Sequence, residues 1–134
     1  MDATVVLRER FPVDDAVLSA LHAAAFGGTD GRQRWAQRLD GHSLTWVGAF
    51  EGERLVGFAN VAWDGGVHAF LVDVMVEPER QGCGLGAAVV AEAVRLAAAA
   101  GCAWLHVDFV ADLAPFYLGR CGFSPTAGGL IALR

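Results

Sequence analysis

The sequence predicts an α/β (α+β) fold on one mixed sheet, an antiparallel meander followed by a parallel βαβ unit, with about seven strands and four helices. Three observations predict it. Residues 44–50, 55–63 and 68–76 are apolar runs rich in β-branched and aromatic residues, separated only by E-G-E and D-G-G, as consecutive hairpin strands are. The glycine-rich stretch V-E-P-E-R-Q-G-C-G-L-G then opens an alanine-rich run that leads to a further strand, W-L-H-V-D-F. Strand, helix, strand in that order makes the two strands parallel. Ahead of the meander, one short strand precedes two stretches of helical periodicity.

Each element has its own warrant. Residues 4–8, T-V-V-L-R, are short and β-branched, hence a strand. Asp14 and Asp15 are cap candidates for a helix to about Ala25, whose apolar residues Val17, Leu18, Leu21, Ala24 and Ala25 recur at helical spacing. Residues 33–39 form a second helix with Trp35 and Leu39 on one face. Residues 68–76 are apolar almost throughout, which predicts a central strand covered on both faces. Residues 84–100 form the long helix, with Gly101 as its natural terminator. Asp112 is a cap candidate for a last helix through Tyr117 to Arg120, and strands near Phe123 and at 130–133 close the chain.

The totals bound the function. At 134 residues the expectation is a single domain over 1–134. Hydrophobic residues make up 54% and charged residues 19%, enough for a folded core. No apolar run reaches the roughly 18–20 residues of a membrane span, so no membrane partner is expected. The opening M-D-A-T-V-V-L-R-E-R lacks a signal-peptide pattern. Three cysteines without metal-type spacing then favour a reducing, cytoplasmic setting and no metal site. A formal net charge of -5 with scattered basic residues argues against nucleic acid and suits a cationic partner such as an amine.

The glycine-rich turn is where the chemistry concentrates. A helix N-terminus presents unpaired N–H groups and partial positive charge, and glycines let a phosphate reach them. Gly82, Gly84 and Gly86 permit that approach, or merely let helix and sheet lie close. A P-loop is excluded, because no Lys-Ser or Lys-Thr follows. Gly82, Gly84 and Ala87 fit a dinucleotide fingerprint, with Asp108 as the ribose-binding acid. That fold puts its fingerprint after the first strand, however, and here a meander comes first.

A third pattern, [QR]-x-x-G-x-[GA], is met by Gln81-Gly82-Cys83-Gly84-Leu85-Gly86. With A-P-F-Y-L-G-R-C-G-F downstream, the chain resembles the GCN5-related N-acetyltransferase (GNAT) family from about Val72 to Phe123. The resemblance implies acetyl-coenzyme A as cosubstrate. Its pyrophosphate would meet the backbone of Gln81, Gly82, Cys83, Gly84, Leu85, Gly86 and Ala87, and its pantetheine arm would pair with Val74, Met75 and Val76 where two parallel strands splay. It implies direct acetyl transfer to a small-molecule or protein amine, with a catalytically weak acyl-coenzyme A sensor as the alternative. Tyr117 aligns with the tyrosine that protonates the leaving thiolate. Asp73 is the candidate base, with His68 and Asp108 as neighbours in that role. Cys83 lacks a sequence-adjacent histidine and is expected to contribute its N–H, not its thiol. Val110 stands where many relatives carry an asparagine. The acceptor is expected against the first two helices, near Phe26, Arg32, Trp35 and Trp63, and a homodimer is a further expectation.

Overall fold

The structure, a computed structural model, describes residues 4–28 and 31–134. Five strands form one sheet in the order β1-β2-β3-β4-β5. They are β1 (Val5–Glu9), β2 (Ser43–Glu51), β3 (Arg54–Trp63), β4 (His68–Val76) and β5 (Trp104–Val107). The first four pair antiparallel in sequence, β1 with β2, β2 with β3 and β3 with β4, and β5 runs parallel to β4. Among the described residues, α1 (Asp15–Phe26), α2 (Trp35–His42), α3 (Leu85–Ala99) and a π-helical segment, Pro115–Arg120, accompany them, with short 3-10 turns at Pro78–Arg80 and Ala111–Leu113. Among the described residues no helix is long and apolar enough to cross a membrane.

Two apolar layers sandwich the sheet. On one face α3 buries Val89, Val90, Ala93 and Ala97 against Val47, Ala49, Val56, Ala59, Val61, Ala69 and Leu71. The alanines let the helix lie close. On the other face α1 and α2 bury Leu18, Leu21, Trp35 and Leu39 against Phe50, Phe58 and Met75. Asp14 caps α1 by accepting from the N–H groups of Ala16 and Val17 at 2.9 and 3.1 Å, an arrangement worth about 1 kcal/mol. Gly27 ends the helix in the left-handed region at φ 74°.

Three expectations are corrected. The sheet has five strands, not seven, because residues 121–134 form none. S-P-T-A-G-G interrupts that segment with a proline that cannot donate and two glycines, and Leu130, Ile131 and Leu133 stand almost fully exposed. Asp112 caps nothing, since the π segment starts after Ala114 with no side-chain cap. Finally, β4 is an interior strand but not covered on both faces. Phe70 and Val72 are 38% and 39% exposed.

Candidate active site

The site begins where β4 and β5 part. Their pairing runs from His68 with Trp104 to Leu71 with Val107 and ends there. Beyond it, Val74, Met75 and Val76 have β3 on one side only, where Met75 and Val76 pair with Phe58 and Gly57. The opposite edge of β4 carries main-chain groups that β5 does not take up.

A bulge marks the same point. The β3–β4 register shifts between Phe58 and Asn60, and Asp73 sits at φ 55°. A bulge supplies one extra residue and reverses which side chains face which side. Ala69 and Leu71 therefore face α3, whereas beyond the bulge Val74 and Val76 take that face and Met75 faces α1 and α2. A non-glycine residue in the left-handed region is strained by roughly 1–2 kcal/mol, less for aspartate, whose short side chain tolerates it.

Asp73 is held in a polar chain that sequence reasoning missed. Asn60, buried, donates from Nδ2 to Asp73 Oδ2 at 3.1 Å, and Ser43 Oγ donates to Asn60 Oδ1 at 2.6 Å. Arg38 of α2 reaches the same Oδ2 at 3.4 Å, its guanidinium lying 3.8 Å above the Trp35 ring. Only Asn60 left a signal, as an amide within the apolar run L-V-G-F-A-N-V-A-W.

The start of α3 lies at the end of β4. Gly84 is its N-cap at φ 92° and gives no side-chain cap, so the first N–H groups of α3 remain for a ligand. Gly82 is also left-handed, at φ 82°, with open space where a Cβ would stand. Gly86 has a different role. A Cβ there would come within 3.2 Å of the Phe116 ring and 3.6 Å of Val76, so its lack of a side chain seats the π segment on the first turn of α3. Gln81 donates from Nε2 to the Val76 carbonyl at 3.2 Å, tying the loop to the strand end. Two nearby cations are committed elsewhere: Arg80 pairs with Glu51, and Arg54 with Glu77 and Glu79. An anion here would meet backbone donors. Leu85 is buried, and the exposed Cys83 gives its thiol to the Arg80 carbonyl.

Tyr117 lies on the α3 face, buried among Phe109, stacked at 5.1 Å, and the edges of Phe116 and Phe123. Burial pushes its phenol above the usual value, and Cys121 adds to the shift. Asp73 faces α2. The two therefore flank the parted strands from opposite faces of the sheet. Of the other expected residues, Trp35 is fully buried and unable to line a cleft, whereas Phe26 and Trp63 are exposed. His68 and His106 form a pair, Nδ1 to Nε2, at 2.8 Å. Two open grooves, of about 520 and 340 Å³, lie around Phe11, Pro12 and Val13 and include none of these residues.

The Acetyltransferase (GNAT) family profile matches residues 15–123. A GNAT family acetyltransferase from Streptococcus pneumoniae superimposes with TM-score 0.76 at 20% identity, covering 98% of each chain. An acetyltransferase from Trypanosoma brucei gives 0.76 at 19% identity, covering 96% of this chain and 99% of the other. A GNAT family acetyltransferase from Brucella melitensis, solved in complex with acetyl-coenzyme A, gives 0.70 at 21%, covering 92% and 85%. These likenesses show the fold. No curated protein matches the sequence.

Proposed function

We propose that this chain, which belongs to the acetyltransferase (GNAT) family, moves an acetyl group from acetyl-coenzyme A directly to an amine. The observation that carries the reading is the uncapped N-terminus of α3 beside the free edge of β4. One feature binds pyrophosphate without cations, and the other pairs with an extended amide chain. Acetyl-coenzyme A supplies an activated thioester; this chain supplies position and proton handling.

In this reading Gln81, Gly82, Cys83, Gly84, Leu85, Gly86 and Ala87 offer backbone N–H groups to the pyrophosphate, and Val74, Met75 and Val76 pair with the pantetheine amides. A main-chain N–H near Met75 or Val76 donates to the thioester oxygen as negative charge builds there. The amine nitrogen bonds to the acetyl carbon while the carbon–sulfur bond breaks. The nitrogen sheds one proton and the sulfur gains one. Asp73 takes the first, directly or through water, and Tyr117 donates the second. Because burial raises the phenol, Tyr117 keeps its proton to higher pH than an exposed tyrosine would.

The second reading, an acyl-coenzyme A sensor, draws on one observation: Asp73 is already engaged by Arg38 and Asn60. The decisive experiment follows free thiol during incubation with acetyl-coenzyme A and a panel of amines. Amine-dependent thiol release is expected. Tight acetyl-coenzyme A binding with no release for any amine would establish the sensor instead.

A further inference from the structure

We infer that the acceptor is a monocationic amine bearing an aromatic or branched apolar group, which lies on the open face of β4 and β5. The inference rests on the acetyl-transfer reading and adds the substrate class.

The face is defined by alternation. Ala69 and Leu71 point to α3, so His68, Phe70 and Val72 point the other way, joined by Trp104 and His106 of β5. Among the described residues they are left open: Phe70 is 38% exposed, Val72 39% and Trp104 65%. Contiguous apolar surface on a sheet face marks a binding region more often than scattered single residues do. The surface is also ordered. The His106 ring stacks on Phe70 at 4.8 Å and 19°, and its Nε2 meets His68 Nδ1 at 2.8 Å. Phe70 and His106 are register partners one step before the β4–β5 pairing ends, so the shelf runs up to the gap proposed for the thioester.

Charge sets the other half of the specificity. Asp73 lies on this side of the sheet, next to Val72, and the hydrogen bonds from Arg38 and Asn60 both end on Oδ2. Oδ1 can therefore receive an ammonium whose apolar body rests on Val72 and Phe70 and which gives up one proton to solvent to become the neutral nucleophile. Arg38 stands beside that carboxylate with 44% of its side chain exposed. A second positive charge on the acceptor would meet it, which disfavours polyamines and aminoglycosides. A small aliphatic amine would satisfy Asp73 but leave the shelf wet.

The test compares phenethylamine and tryptamine with ethylamine, spermidine and a lysine-containing peptide in the thiol-release assay. Phenethylamine is expected to exceed ethylamine and spermidine in kcat/KM by at least about tenfold, the scale of one aromatic contact. Phe70→Ala and, separately, Trp104→Ala should shrink the phenethylamine-to-ethylamine ratio several-fold, mainly through KM. Acetyl-coenzyme A binding by calorimetry checks that each variant is folded. Spermidine or the peptide as the best acceptor, or a ratio unmoved by both substitutions, overturns the inference. If no amine releases thiol, the transfer reading fails by itself. Line broadening of the phenethylamine ring by the protein, absent with Phe70→Ala, then supports the shelf as a binding site, and no broadening overturns it too.

Discussion

Asp73 combines a strained backbone, a carboxylate and a cationic neighbour at one position, so substitutions there separate cleanly. Asparagine tolerates the left-handed region, so Asp73→Asn should fold with little loss of stability while lowering kcat by about 10²-fold, the lower range for removing a general base. Asp73→Val puts a β-branched side chain at φ 55° and should cost about 1–2 kcal/mol in urea denaturation. Equal stability of the two variants would sink the strain argument. Tyr117 and Cys121 carry a pH consequence. Burial raises both, for Cys121 against the opposing pull of Arg120. A raised acid binds its proton more tightly folded than unfolded, so its stabilisation is complete below the unfolded pKa and is lost as pH climbs through the folded one. The urea midpoint should therefore decline above the ordinary thiol value of about 8.5, and further above about 10, the phenol value. Cys121→Ser should remove the first decline and Tyr117→Phe the second; a midpoint flat from pH 7 to 11 contradicts both assignments.

At the scale of elements, the start of α3 is the most exacting piece of the fold. Gly84→Ala places a Cβ at φ 92° with free space around it, so its cost is backbone strain alone. We expect about 1 kcal/mol of stability loss and a weaker acetyl-coenzyme A complex as the first turn reorients. Gly86→Ala instead presses on the Phe116 ring at 3.2 Å, and should disturb Tyr117 through its neighbour, lowering kcat more than affinity. Calorimetry and turnover for the two variants should thus separate, and a common pattern would refute the distinction. This distinction was not legible in the sequence, where three alternating glycines look alike. The boundaries of β4 were legible, because D-G-G and Pro78 bracket a run that is apolar almost throughout. Its bulge was not, since the two-versus-one pairing at Asp73 depends on what β3 presents opposite. The uncovered face of β4 was equally hidden: hydrophobic content reports what can be buried, whereas helix length and placement decide what is. The terminal strands misled in the same way, as Leu130, Ile131 and Leu133 have strand-like composition and no partner.

Across the whole molecule, charge distinguishes the two ligands. The formal net charge is -5, and Arg80 and Arg54, near the α3 N-terminus, are paired with Glu51, Glu77 and Glu79. A cationic amine thus approaches an attractive field, and polyanionic acetyl-coenzyme A approaches a repulsive one, to be held at short range by backbone N–H groups. Salt screens the long-range field over a Debye length of about 10 Å at 0.1 M and leaves the short hydrogen bonds largely intact. Raising ionic strength from about 0.02 to 0.3 M should therefore increase the amine KM several-fold, while the acetyl-coenzyme A Kd stays level or falls. Initial rates across a salt series give the first quantity and calorimetry the second. A coenzyme Kd that rises steeply with salt would mean that arginines, not the backbone at Gly82 to Ala87, hold the phosphates. In that case the pairs of Arg80 with Glu51 and of Arg54 with Glu77 would have to open on binding, and Arg80→Gln would weaken the coenzyme far more than any change at the glycines.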